Sequence, residues 1–419
     1  MDPTFIGCIF TLALLKISFL VSSWMKNRRM EQTLFSRYDI PYVEPNLCSG
    51  SLHELRNNNS DENEIQVIDR WIKKYGKVFG YYVGSKPHLL VADVDMIKEI
   101  LSRKSANYLN RPKLAIKANP VMDTLVGLRD SRWKEVRHML SPAFTPAKLK
   151  PMMKNMNEKV DILISLIEKK CTTDGQLEWV STYQGLTLDI ISSCAFAMET
   201  NCIIEQDNDP LLAAVRDFLK KAMNAAVLWA QYFPIIARLM TVINNSWMKS
   251  GKATIMIVES LEKAISARRK DPSAKRKDIL QMILDASEDS NGDLNKDKMN
   301  KVKPLTDKEI IANSWVFLLG GYETTASALA FTTYLLAKHP DVQEKLYEEI
   351  SENMSPENDQ PTYEDIMKLS YLDQVFNESL RMYPPVSSFL QRETTKADEI
   401  NGLTIQKKPT CIPYGKLPS

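Results

Sequence analysis

Apolar residues run almost unbroken from Phe5 to Trp24, with Lys16 as the one charge, and stop at Lys26, Arg28 and Arg29. A run of about 20 apolar residues is long enough for a helix to cross a bilayer. A lysine at the centre of such a helix costs about 2.5–3.5 kcal/mol. Its Phe, Ile and Leu neighbours offset that, and the long stem lets the ammonium reach an interface. The basic residues follow the apolar run and do not precede it, which argues against a cleaved leader and keeps the flank cytosolic. Residues 1–25 are therefore expected to form an uncleaved membrane anchor and 26–51, punctuated by Pro41 and Pro45, a linker. A cleaved signal peptide and a buried helix are the competing readings.

Beyond the linker the pattern alternates between two periods. Ile65 to Lys74 reads as a helix; Val78–Val83 and His88–Ala92 are β-rich runs around Gly84-Ser85-Lys86-Pro87, which predicts a hairpin. Asp93 to Leu101 returns to helix. From Trp133 to about Asp285 the period is helical almost throughout, broken at Asp174-Gly175, Asn208-Asp209-Pro210 and Asp271-Pro272. The polar stretch Asp289 to Asn300 reads as a loop. Thr306 and Glu309 then fit a capping box opening a nearly uncharged helix to His339, and Pro340 starts the next one. Hydropathy alone allows that inner helix to be a second membrane span. Glu323 in its middle, its many Thr and Ser residues and the charged chain on both sides favour the centre of a large core. The expected fold class is mainly α with small β-sheets.

Composition narrows the function. With 44% hydrophobic and 25% charged residues over 419 positions, the chain is globular, one large domain or two to three average ones. A net charge of +2 argues against an electrostatic nucleic-acid binder, so no nucleic acid is expected. The cysteines Cys8, Cys48, Cys171, Cys194, Cys202 and Cys411 are scattered without a Cys-x-x-Cys pair, which fits neither a disulfide framework nor a zinc site. Asn244-Asn245-Ser246 matches the glycosylation pattern but would go unused on a cytosolic face.

Three short elements carry candidate chemistry. Gly320-Gly321-Tyr322-Glu323-Thr324-Thr325 lies inside the inner helix. Each interior glycine costs about 1 kcal/mol relative to alanine, so the pair needs a reason: a flat cofactor or small molecule can approach the bare backbone, and an acid beside a hydroxyl can handle protons. A packing notch with a chance acid is the alternative. Glu378 and Arg381 stand three apart before Tyr383-Pro384-Pro385, as a facing pair or an ordinary surface ion pair. Trp133 and Arg137 share a helix face, and an indole N–H with a guanidinium can hold an anion.

In this order the three elements resemble the cytochrome P-450 family, and most closely its animal clan containing the subfamily 3A monooxygenases and thromboxane synthase. Leu128-Arg129-Asp130, Ser141-Pro142-Ala143-Phe144, Tyr334-Leu335-Leu336-Ala337 and Gln343-Glu344-Lys345-Leu346 extend the likeness over nearly the whole chain. The resemblance implies a haem (heme, iron protoporphyrin IX), a lipophilic small-molecule substrate and an NADPH-dependent membrane reductase. It also implies a place on the endoplasmic reticulum lipid bilayer, held by one N-terminal anchor with the catalytic part facing the cytosol. By the same resemblance Trp133, Arg137 and Arg392 contact the haem carboxylates, Gly320 and Gly321 form an oxygen groove, and Glu323 and Thr324 are the catalytic pair guiding protons to dioxygen. Glu378 and Arg381 are implied to be structural. Substrate contacts are implied near 110–130, 217–240, 313–325 and 386–390.

One feature of the family is missing. Its cysteine loop, Phe-x-x-Gly-x-Arg-x-Cys-x-Gly, supplies the axial thiolate and does not occur here; after a family-like turn at Asp398–Gly402 the chain reads Cys411-Ile412-Pro413-Tyr414-Gly415 and ends at Ser419. Cys411 falls on a predicted strand and is expected to be a packed side chain, so no metal ligand is assigned. The expected fold over 52–419 is the family's, incomplete at the C-terminus, with the cysteine loop and last helix missing. As a fragment it is expected to fold poorly, bind haem weakly and lack activity. A thromboxane-synthase-like endoperoxide isomerase is the first alternative, although that motif lacks the threonine found here. A haem-free membrane protein without catalysis is the second.

Overall fold

Thr306 caps the longest core helix as its spacing predicts: its hydroxyl accepts from Glu309 N and the Glu309 carboxylate accepts from Thr306 N. In this computed structural model Asn63, Asp93, Asp209 and Asp278 likewise take up free backbone N–H groups at helix starts. The structure describes residues 3–55, 62–113, 120–173, 175–222, 252–271, 278–292, 303–354, 360–386, 390–405 and 410–413. They fall into two units, one built on 1–115 with 387–416, the other on 116–227 with 238–386.

In the first unit, α1 (Pro3–Glu31) is continuous. Side chains 1–14, which hold the first half of the expected anchor, lie outside the described residues. Among the described residues no helix is long and apolar enough to cross a membrane. The segment expected as a linker is packed: Arg28 donates to Leu47 O at 3.1 Å and Cys48 O at 2.7 Å, and Phe35, Ile40 and Val43 are buried. Helix α2 (Glu64–Tyr75) starts at Asn63 in a capping box with Gln66 and buries Val67 and Trp71. Strands β1 (Val78–Val83) and β2 (Lys86–Val91) pair antiparallel from Val78↔Val91 to Val83↔Lys86. The turn is therefore Gly84-Ser85 alone, tighter than the four residues expected, and Gly84 supplies a φ of 65° that a Cβ would oppose. The helix expected over Asp93–Leu101 divides into Val94–Lys98, capped by Asp93, and a π turn at Glu99–Arg103.

Four more strands complete this unit: β3 (Arg392–Glu393), β4 (Asp398–Ile400), β5 (Leu403–Ile405) and β6 (Thr410–Pro413). The larger sheet runs β1-β2-β6-β3, with β6 parallel to β2 and antiparallel to β3. β4 and β5 form a hairpin through Asn401 and Gly402, both in the left-handed region that such a two-residue turn demands.

The second unit is helical: α3 (Asp130–Leu140), α4 (Met153–Thr173), α5 (Trp179–Phe196), α6 (Pro210–Ala222), α7 (Lys252–Lys270), α8 (Ile279–Gly292), α9 (Asp307–Lys338), α10 (Pro340–Asn353) and α11 (Ser370–Met382). The predicted breaks fall between helices, except that α8 runs on through the expected loop to Gly292; residues 293–302 lie outside the described ones. Leu188, Ile257, Leu261, Leu280, Ile283, Leu318 and Tyr322 meet in one core around α9. Arg268 and Asp278 form a buried ion pair between α7 and α8, and Arg268 also donates to Phe196 O at the end of α5. The mainly helical fold with small sheets is as the sequence predicts.

Candidate active site

The two adjacent glycines of α9 face different surroundings. A Cβ built on Gly321 would sit 3.0 Å from Cδ1 and Cγ1 of Ile191 on α5, so its missing side chain lets two helices pack. A Cβ on Gly320 would meet nothing within 4 Å. Gly321 is thus the packing notch, and Gly320 alone leaves bare backbone open for a ligand.

Thr324 stands one turn beyond Gly320 on the same face. Its hydroxyl donates to Gly320 O at 2.5 Å, which commits the proton to the helix backbone and leaves oxygen lone pairs free to accept. Glu323 faces elsewhere. Its Oε2 accepts from Gln184 Nε2 at 2.9 Å, Gln184 Oε1 accepts from Arg216 Nε at 2.8 Å, and Arg216 pairs with the exposed Asp207. The acid and the alcohol are neighbours in sequence, but the carboxylate is held toward α5 and α6 while the hydroxyl stays near Gly320. Tyr322, just before Glu323, is fully buried, and burial pushes its phenol well above the ordinary range.

Trp133 and Arg137 lie one turn apart on α3, Trp133 half-buried and Arg137 exposed; among the described residues Arg137 makes no ion pair. Helix α3 is tied to the start of α9 by Arg132, which donates to both oxygens of Glu309, at 2.7 and 2.6 Å. Burial alone would raise the Glu309 pKa, but bonds from Arg132 and Thr306 hold it below the usual carboxylate range.

Glu378 and Arg381 form a two-point fork on α11, with Nε to Oε2 at 2.8 Å and Nη2 to Oε1 at 2.7 Å, and both side chains are exposed. With Leu335, Leu336, Val342 and Val375 they line a groove of about 500 Å³ between α9, α10 and α11. Thr332 on α9 donates to Ser379 Oγ at 2.9 Å, and the Phe331 and Tyr383 rings stack 4.6 Å apart beside it.

Arg392 belongs to the first unit. It is half-buried in β3, donates to Gln391 O at 2.9 Å, and burial lowers its pKa; among the described residues no acid pairs with it. Cys411 pairs opposite it on β6, fully buried, with its thiol pushed by burial up to about 12. This is the packed side chain the sequence leads one to expect. The expected substrate segments at 223–240 and 387–389, and 114–119 within the first of them, lie outside the described residues.

Sequence reasoning missed Arg132, Gln184, Ile191 and Arg216. Only Arg132 left a signal: a cation at the head of the apolar stripe Val136, Leu140 announces a buried partner.

The cytochrome P450 family model matches residues 40–416. The chain is similar to cytochrome P450 3A56 of Fundulus heteroclitus, 33% identical over 336 residues, covering 80% of this chain and 66% of that one. Cytochrome P450 3A12 of Canis lupus familiaris is 32% identical over 351 residues, 82% of this chain and 67% of its own. Cytochrome P450 3A7 of Homo sapiens is 30% identical over 336 residues, 80% and 65% respectively. The chain thus spans about two thirds of the length of these curated relatives. With the family model matching most of its length and a relative 33% identical over 80% of it, the chain belongs to the cytochrome P450 family.

Proposed function

We propose that this chain is the helical body of a haem-thiolate monooxygenase that oxidises lipophilic small molecules with dioxygen and electrons from an NADPH-dependent membrane reductase. The open face of Gly320 beside the Thr324 hydroxyl carries the reading, because it joins bare backbone to a proton-handling group on one helix face. The residues fit a haem. Gly320 admits a flat group, and the exposed Arg137 has no acid partner among the described residues.

When bound, the haem would supply the redox centre at which dioxygen is activated. The indole N–H of Trp133 and the guanidinium of Arg137 would hold its carboxylates. Thr324, whose own proton is held by Gly320 O, would accept a hydrogen bond at its hydroxyl oxygen, and Glu323, after release from Gln184, would exchange protons with water. Gly321 lets α9 pack closely on α5, and the Glu378–Arg381 fork has a structural role within α11. Retention of Thr324 favours the monooxygenase over an endoperoxide isomerase. We place the protein on the endoplasmic reticulum membrane through residues 1–25, on the support of the apolar run and its basic flank, with the catalytic part toward the cytosol.

We assign no iron ligand: Cys411 is fully buried in β6, and burial pushes its thiol up, which makes it a poor ligand. Ferric protoporphyrin IX titrated into the purified chain is expected to bind saturably, and a lipophilic competitor is expected to shift its spectrum. Absence of binding would overturn the haem reading. Reduction under carbon monoxide is expected to give no thiolate-type Soret band, and a stable band of that type would show that the chain holds its own ligand.

A further inference from the structure

Arg132 occupies a position that the pattern of α3 reserves for an apolar residue. It heads the i, i+4, i+8 stripe that continues with the buried Val136 and Leu140. A cation there needs partners, because an unpaired charge beside a core is strongly destabilising. Its guanidinium carries five N–H donors in a fixed fork, and all five are engaged. Nε donates to Glu309 Oε1 at 2.7 Å; Nη2 donates to Glu309 Oε2 at 2.6 Å and to Pro304 O at 2.8 Å. Nη1 donates to Lys303 O at 2.7 Å and to Glu135 Oε2 at 2.8 Å. The same Glu309 closes the capping box of α9, accepting from Thr306 N at 2.9 Å. One turn further on, Asn313 donates to Glu309 O at 2.7 Å and accepts from Leu125 N at 2.8 Å. The start of α3 and the start of α9 are locked by one carboxylate.

Trp133 and Arg137 form the next stripe on α3, turned by about 100° from the stripe of Arg132. Rotating the helix by roughly 20° moves groups at its outer radius of about 5–6 Å by about 2 Å. A shift of that size breaks a hydrogen bond.

We propose that Arg132 is the positioning residue of the carboxylate-binding face of α3: its four hydrogen bonds to Lys303, Pro304 and Glu309 at the start of α9 fix the helix rotation that aims Trp133 and Arg137. This rests on the haem reading above. Lysine keeps the charge but offers three donors from one point, so it cannot reproduce the grip.

The test compares the native chain, Arg132→Lys and Glu309→Gln in detergent micelles. Each is titrated with ferric protoporphyrin IX and with its dimethyl ester, whose carboxylates are neutral, by tryptophan quenching; the thermal midpoint is read by circular dichroism. Charged hydrogen bonds of this kind should make the native chain prefer the free acid by about tenfold or more. Arg132→Lys is expected to lose most of that preference with the ester affinity unchanged. A merely structural role would weaken both porphyrins equally and lower the midpoint. That result, or an intact preference in Arg132→Lys, overturns the proposal. If Arg132→Lys does not fold, Glu309→Gln carries the same test, since it removes the partner charge and keeps the shape. A native chain that does not prefer the free acid defeats the haem-carboxylate reading itself, and this inference with it.

Discussion

Alanine in place of Gly320 and alanine in place of Gly321 should move stability in opposite directions. In a helix interior, replacing glycine by alanine stabilises by about 0.5–1 kcal/mol, because the unfolded chain loses freedom. At Gly320 the new methyl meets nothing within 4 Å, so the full gain is expected. At Gly321 the methyl would lie 3.0 Å from two carbons of Ile191, and overpacking typically costs about 1–3 kcal/mol, more than the gain. The two variants should therefore differ by about 1–3 kcal/mol, with Gly320→Ala above the native chain and Gly321→Ala below it. Urea unfolding followed by the far-ultraviolet signal, with midpoints compared at a common slope, reads this directly. A destabilised Gly320→Ala, or two variants that shift together, would refute the assignment of one open and one packed glycine.

Other outcomes follow from buried charges. Arg268→Met strands Asp278 in the core and should cost about 3–5 kcal/mol, whereas adding Asp278→Asn should recover a large part of it, as calorimetry or urea unfolding would show. His88, buried beside the Tyr81 ring at 5.3 Å, has its pKa lowered by burial to about 3 from 6.5. The unfolded chain takes up the proton below 6.5 and the folded chain does not until about 3, so stability falls as pH falls through that window. His88→Phe should flatten this part of the pH–stability curve. A native-like slope between pH 6.5 and 4 in that variant would contradict the burial argument.

The helical framework was legible because local rules and tertiary packing agree in it. Thr306 and Glu309 announce the start of α9, Pro340 the start of α10, and Asn401-Gly402 a turn that needs two left-handed residues. The boundary of α8 was not legible, since Asp289 to Gly292 read as a loop yet continue the helix. The role of 26–51 was equally hidden: two prolines suggest a tether, whereas Arg28 and Gln32 bind the backbone of 46–48 and Phe35 enters the core. At the site, spacing marked the glycine pair but could not say which glycine packs. That depends on Ile191, which is distant in sequence and has no signature of its own. Glu323 and Thr324 were legible as neighbours, but the turning of Glu323 toward Gln184 is a tertiary fact.

The central claim is that a porphyrin lies against α9 at the open face of Gly320. Ferric protoporphyrin IX titrated into the native chain and into Gly320→Leu, with circular dichroism confirming equal helix content, tests it most directly. The account predicts saturable binding by the native chain and an affinity about tenfold or more lower in the variant, because the leucine fills the space the ring would take. Equal affinity in two equally folded chains would place the porphyrin elsewhere and contradict the account.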